Sequence, residues 1–406
     1  MNFICLVQLS ILLLSLFCLT MNYNAFRFAN IGISFNHTVF AYNINSLTRI
    51  LAAPFTTGFT VSNSYDNETL IIPQCVLTKD TKDTSFITRD PNDALLTFIT
   101  IGDTGGEDFH PYTSHIGRNT AKTLGLFANQ NHPAFVFLLG DNFYPKGVIN
   151  DTDSRFNTSF ENLYNYPGLD IPWYAIAGAH DHYGNITAQM SYRSSKWNFP
   201  YLYYSNIYNI SGKCPTQGAD NANVIMQMVM IDTQVLCPTA KHVKKSFEKL
   251  KYINSNNKIL HWKWLENTLS KSKADLLIVV GHQPIYSIAK HGPIPCLVKN
   301  LRQLFYKYNV SLYLSGHNHV MEHLIDREES SGKTMNYGVF GSGSKLNVNR
   351  KTNRTSSPLC LSKFYDESKG GFGILDVHCN KSLTVYYENE EGYLVHHFIL
   401  SPRIVF

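Results

Sequence analysis

The chain has 406 residues, 44% hydrophobic and 16% charged, so most of it folds around a sizeable core. Its net charge of +5 is small, and its Lys and Arg are scattered, which argues against nucleic acid as a partner and suits an enzyme that attracts anions. It carries no nucleotide-cradling glycine fingerprint, internal repeat or heptad pattern.

Behind Met1-Asn2 runs an apolar stretch from Phe3 to Met21, broken only by Gln8, Ser10, Ser15 and Thr20. Residues 1–21 therefore read as a signal peptide or, since no Lys or Arg precedes the run and it is long enough to span, a signal anchor. The expected location is the secretory pathway: secreted or lumenal, lysosome- or vacuole-like. Membrane attachment arises only if the segment stays uncleaved. Cys5 and Cys18 lie in this leader, while Cys75, Cys214, Cys237, Cys296, Cys360 and Cys379 follow it. That even count reads as disulfides, with 15 pairings open. Asn-x-Ser/Thr sequons scattered from Asn36 to Asn380 give mild support for export.

Residues 22–92 lack periodicity and are rich in Asn, Thr and Ser, which predicts a partly irregular extension with short strands at 58–61 and 69–72. The pattern changes at residue 93, and a catalytic domain is expected over 93–400. Short apolar runs recur at 94–101, 134–139, 171–177, 276–280 and 310–314, each ending in Gly and polar residues. They read as buried strands. Helices are predicted between them at 115–129, 261–271 and 296–308. Alternating strand and helix predicts an α/β fold of two β-sheets packed face to face and flanked by helices, with ligands bound beyond the carboxyl ends of the strands.

Those ends carry Asp103; Asp141 with Tyr144; His180 with Asp181; His282; and His317 with His319. A lone Asp or His after a strand is usually a turn residue. Five such ends converging on one edge point instead to a metal site. Carboxylate, imidazole and phenolate suit Fe, Mn or Zn, and a shared carboxylate can bridge two ions that clamp a phosphate ester.

The segments Gly-Asp-Thr-Gly (102–105), Gly-Asp-Asn-Phe-Tyr (140–144), Gly-Ala-His-Asp-His (178–182), Val-Gly-His-Gln-Pro (280–284) and Gly-His-Asn-His (316–319) resemble the five motifs of the purple acid phosphatases, in their small, mammalian-type tartrate-resistant branch. Gly105, where other metallophosphoesterases usually carry His, and Tyr144 both point to this branch. The resemblance runs from about residue 95 to 390. It implies the four-layer αββα sandwich of two mixed sheets and a phosphate monoester substrate, hydrolysed by a metal-bound hydroxide. It further implies Fe(III) on Asp103, Tyr144 and His319, Asp141 bridging, and a divalent Fe, Zn or Mn on His282 and His317. His180 and His291 would face the phosphate and assist the leaving group. Cys237 and Cys296 stand where the small enzymes have their single disulfide. The lysine-bearing stretch 238–260 stands where they have a loop over the active site; a solvated helix or mobile loop is the plainer reading. A monomer is expected.

One position departs from the pattern. The family's third motif reads Gly-Asn-His, and here Ala179 replaces the Asn whose amide would ligate the divalent ion. His182 is ordinary at its place and is no substitute. The expectation is an active acid phosphatase with a weakened second metal site. The alternative is a catalytically degenerate member serving as a binding or scaffold protein.

Overall fold

A computed structural model of the chain describes residues 87–214, 221–238, 254–328, 330–346 and 360–404, with the short segments Ser34–Phe35 and Val76–Leu77. The leader, the strands predicted at 58–61 and 69–72, and most of the lysine-bearing stretch lie outside the described residues.

In chain order the elements are β1 (Ser34–Phe35), β2 (Val76–Leu77), β3 (Ala94–Ile101), α1 (His115–Asn131), β4 (Val136–Leu138), β5 (Trp173–Ala175), α2 (Ala179–His182), α3 (Ile186–Ser191) and β6 (Trp197–Asn198). The hairpin β7 (Tyr204–Lys213) and β8 (Asn221–Met230) leads to α4 (Thr233–Leu236), α5 (Ser255–Lys271), β9 (Leu276–Val280), α6 (Pro295–Lys307) and β10 (Leu312–Ser315). Six strands close the fold: β11 (Met321–Arg327), β12 (Thr334–Phe340), β13 (Cys360–Asp366), β14 (Gly371–His378), β15 (Leu383–Asn389) and β16 (Leu394–Leu400).

They form two mixed sheets. One runs β1-β7-β8-β9-β10-β12-β11-β13-β2, the other β16-β15-β14-β3-β4-β5-β6. In each, a parallel centre (β8, β9, β10, β12 and β3, β4, β5, β6) is flanked by antiparallel strands. Successive side chains of a strand point to opposite faces, so a strand covered on both sides is apolar throughout. In β9, Leu276, Ile278 and Val280 enter the layer between the sheets, while Leu277 and Val279 face outward to α5 and α6. In β3, Phe98 faces inward, and Ile99 and Ile101 meet Leu124 and Phe127 of α1. The result is the expected α/β sandwich of four layers. Burying each such large side chain stabilises the fold by roughly 1.5–3 kcal/mol.

The helices predicted at 115–129 and 296–308 are present, with Ser114 Oγ accepting from Gly117 N–H to start α1. The helix predicted at 261–271 starts earlier, at Ser255, because the Asn254 side chain accepts from Asn257 N–H and caps it. Its first turns leave Ile259 and Leu260 exposed, so no apolar face marked them in the sequence. Upstream of β3, Arg89 pairs with Asp376 and also bonds Asn131 and Thr97. Residues just before 93 are thereby fastened to the second sheet.

Cys237 and Cys296 form a disulfide, and so do Cys214 and Cys379. Cys75 and the side chain of Cys360 lie outside the described residues. Disulfides persist in oxidising compartments, in keeping with the secretory pathway. Among the described residues no helix is long and apolar enough to cross a membrane.

Where the sheets' antiparallel wings meet, His323 of β11 and His396 of β16 face each other at 3.0 Å, and His323 also reaches Asn336 at 2.9 Å. Phe398 stacks on His323 and Phe364 on His396. Burial pushes His323 down to about 4 and His396 down to about 3, with Lys363 and His397 adding to the effect. The folded state thus refuses protons that the unfolded chain takes up near pH 6.5, and stability falls as the pH drops below that value. The variant His396→Phe keeps the stacking and removes one such group. Its stability is expected to fall by about 2 kcal/mol less than the parent's between pH 7 and 5, measured by urea unfolding at both. Equal losses in the two proteins would contradict this account.

Candidate metal centre

Five parallel strands end at one edge, and each delivers a predicted site residue there: Asp103 after β3, Asp141 after β4, His180 after β5, His282 after β9 and His317 after β10. Three of these residues hold left-handed backbone, Asp103 (φ 57°), Asp141 (φ 53°) and His317 (φ 69°). Such conformations are costly outside glycine and persist only where neighbours enforce them. Here the strand ends brace one another. Asp103 N–H donates to Gly140 O, Gly105 N–H donates to Asp141 O, and His317 N–H donates to Asp103 Oδ2 at 2.7 Å.

The donors fall into two adjacent groups. In the first, the Tyr144 hydroxyl donates to Asp103 Oδ1 at 2.9 Å and lies 3.0 Å from His319 Nε2, which is itself 3.5 Å from Asp103 Oδ1. In the second, atoms of Asp141, His282 and His317 all lie within 4.8 Å of one another. His282 Nε2 is 3.4 Å from Asp141 Oδ1 and 3.2 Å from His317 Nδ1. His282 donates its Nδ1–H to Leu139 O, which turns Nε2 inward.

Gly105 lets the first two motifs approach closely. A Cβ at 105 would lie 2.5 Å from Tyr144 N and 2.6 Å from its ring. A side chain at 105 would therefore collide with both the backbone and the ring of Tyr144, and glycine leaves that space clear.

The charges are interdependent. Burial works against the Asp141 carboxylate, but His282, His180 and His317 hold it well below the usual range. Burial opposes charge on His282 too, and Asp141 nonetheless raises it to about 10. Burial and then His282 push His317 well below its ordinary value. Burial, followed by Asp103, keeps the Tyr144 proton on. The pocket thus demands one positive charge opposite Asp141, with further oxygen and nitrogen donors close by. This mixed oxygen and nitrogen set fits hard or borderline cations, which would displace those protons.

The phosphate-facing candidates flank these groups. His180 donates Nδ1–H to Pro145 O at 2.6 Å, and its Nε2 stands 3.9 Å from Asp141 Oδ2. Its own N–H donates to Asp141 Oδ1 at 2.8 Å. The exposed His291 is anchored by its N–H to Asn318 Oδ1, and its ring centroid is 5.0 Å from that of His317. Ala179 is buried and brings only a methyl group.

Two residues beside the predicted set act as supports. Asp181 is fully buried and accepts from Gly178 N–H, Asn142 N–H and Gln189, fixing the turn that carries His180. Burial, then Asp141, raises it to about 6. His182 pairs with Asp232 at 2.6 Å and so cannot stand in for the missing amide. The sequence reading missed Glu322, which accepts from Ser287 Oγ and Ile288 N–H and holds the segment leading to His291. A charged residue inside a strand was its only signal.

Residues 96–321 match the family model of the calcineurin-like phosphoesterases. The tartrate-resistant acid phosphatase type 5 of Oryctolagus cuniculus is 34% identical over 304 residues, covering 73% of this chain and 88% of the relative. Purple acid phosphatase 3 of Arabidopsis thaliana is 28% identical over 325 residues, covering 75% and 78%. Among solved structures, GAP50, the anchor in the inner membrane complex of Plasmodium, shares the fold with a TM-score of 0.60 at 23% identity, covering 76% of this chain and 89% of that one.

Proposed function

The chain belongs to the calcineurin-like phosphoesterases, in their purple acid phosphatase branch, and is an acid phosphatase by class; from that premise we propose that it hydrolyses phosphate monoesters at a dinuclear iron-containing centre. The observation that carries the reading is the pairing of two donor groups, Asp103–Tyr144–His319 and Asp141–His282–His317, at one sheet edge. The first, with phenolate and carboxylate, would hold Fe(III). The second would hold a divalent Fe, Zn or Mn ion, with Asp141 shared. Such a pair, when bound, neutralises phosphoryl charge and activates a water molecule.

The protein's own groups do the rest. His180 has its Nδ1 proton committed to Pro145 O, so only Nε2 can serve the cleft, where it can give a proton to the departing alkoxide. His291, fixed through Asn318, can hold a phosphate oxygen from the side of His317. Asp181, Glu322 and the braced strand ends keep these rings oriented, and orientation supplies much of the rate. The leader and the disulfides support a secreted or lumenal location.

The test is elemental analysis, a visible spectrum and aryl-phosphate hydrolysis on one purified preparation. Iron near one equivalent, a phenolate-to-iron absorption band and hydrolysis in mild acid are expected. A colourless, iron-free protein after reconstitution would end the proposal.

A further inference from the structure

Beside the first donor group lies a cation that neither the motifs nor the mechanism uses. Lys345 places its ammonium 4.4 Å from the centroid of the Tyr144 ring. We propose that Lys345 is a positioning residue that tunes Tyr144 electrostatically as an iron ligand, an inference that rests on the reading of Tyr144 as a ferric ligand.

The placement is built in. The preceding residue, Ser344, donates its Oγ–H to Asp103 O at 2.6 Å and accepts from Gly106 N–H at 3.1 Å. Its carbonyl accepts from Ser114 Oγ. One step earlier, Gly343 N–H donates to Gly102 O. The chain that presents Lys345 is thus fastened to the loop carrying Asp103, another donor of the same group. Among the described residues the ammonium also pairs with Asp108, at 3.9 Å and with a side chain 61% exposed. A pair so exposed and so long holds a lysine weakly. The Lys345 side chain is itself only 29% exposed, so its charge acts on the ring through little water.

An ammonium over an aromatic ring is attracted by its electron-rich face, and the attraction grows when the ring carries phenolate charge. A ferric ion would be held by the hydroxyl oxygen, whereas the ammonium stands over the ring itself. Lys345 therefore stabilises the phenolate electrons more than the iron orbitals that receive them on light absorption. It raises the energy of the charge-transfer band. By the same field it favours the ferrous over the ferric state.

The experiment compares the iron-loaded full chain with Lys345→Met and Lys345→Arg, at matched iron content. In Lys345→Met the band is expected about 5–20 nm to longer wavelength, the optical equivalent of losing one ammonium–ring contact, and the iron is harder to reduce. Lys345→Arg returns both toward the parent values. A band and reduction behaviour unchanged in Lys345→Met, with only KM for phosphate esters raised, would make Lys345 a substrate-gathering residue and overturn the proposal. An iron-loaded parent without any band overturns the Tyr144 reading, and this proposal with it.

Discussion

Asp141→Asn is expected to lower phosphate-ester hydrolysis by about 10³-fold and to strip the divalent ion, while the fold survives. Magnitude follows from position. Asp141 is the only carboxylate in the second donor group, and His282, His180 and His317 all stabilise its charge. Removing one charged group that organises a reacting centre costs about 10²–10³-fold, and weaker metal binding adds about 10–100-fold where occupancy is limiting. Asparagine has nearly the same volume, and its amide oxygen can still accept from His180 N–H. Metal content and kcat/KM measured on the same sample check the result. Retention of more than about a tenth of the parental rate would mean that hydrolysis takes place elsewhere.

The opposite change is expected at Ala179. The backbone there is pinned on both sides, by Gly178 N–H donating to Asp181 and by His180 N–H donating to Asp141. A side chain at 179 therefore starts next to the second donor group. Ala179→Asn supplies a neutral oxygen donor to a set of three, and divalent affinity and turnover are expected to rise about 10–100-fold. Titration with Zn or Mn against activity reads both. Should the parent be inert and the variant gain metal without gaining rate, the chain binds rather than hydrolyses, and the scaffold alternative takes over.

Legibility in the sequence followed locality. Each of the five parallel strands carries its apolar run and its polar end within a dozen residues, so Asp103, Asp141, His180, His282 and His317 could be read off directly. The closing strands β11–β16 went unread. Their buried faces are interrupted by polar residues such as Glu322, His323 and Asp326, whose partners lie on other elements. The Cys214–Cys379 bridge joins residues 165 apart in the chain, a distance that no spacing rule resolves.

By itself, then, the sequence determined the candidate donor residues, their order along the chain and the alanine at 179, because residue identity next to a strand end is a local property. Tertiary structure alone decided how those donors divide into two groups, that Gly105 makes room for Tyr144, that His182 turns to Asp232, and that Lys345 lies over the Tyr144 ring. Each of these is a contact between distant segments, fixed by how two sheets pack and by which strand ends brace the left-handed turns. Pairwise distance, unlike residue type, is not written in any local stretch of the chain.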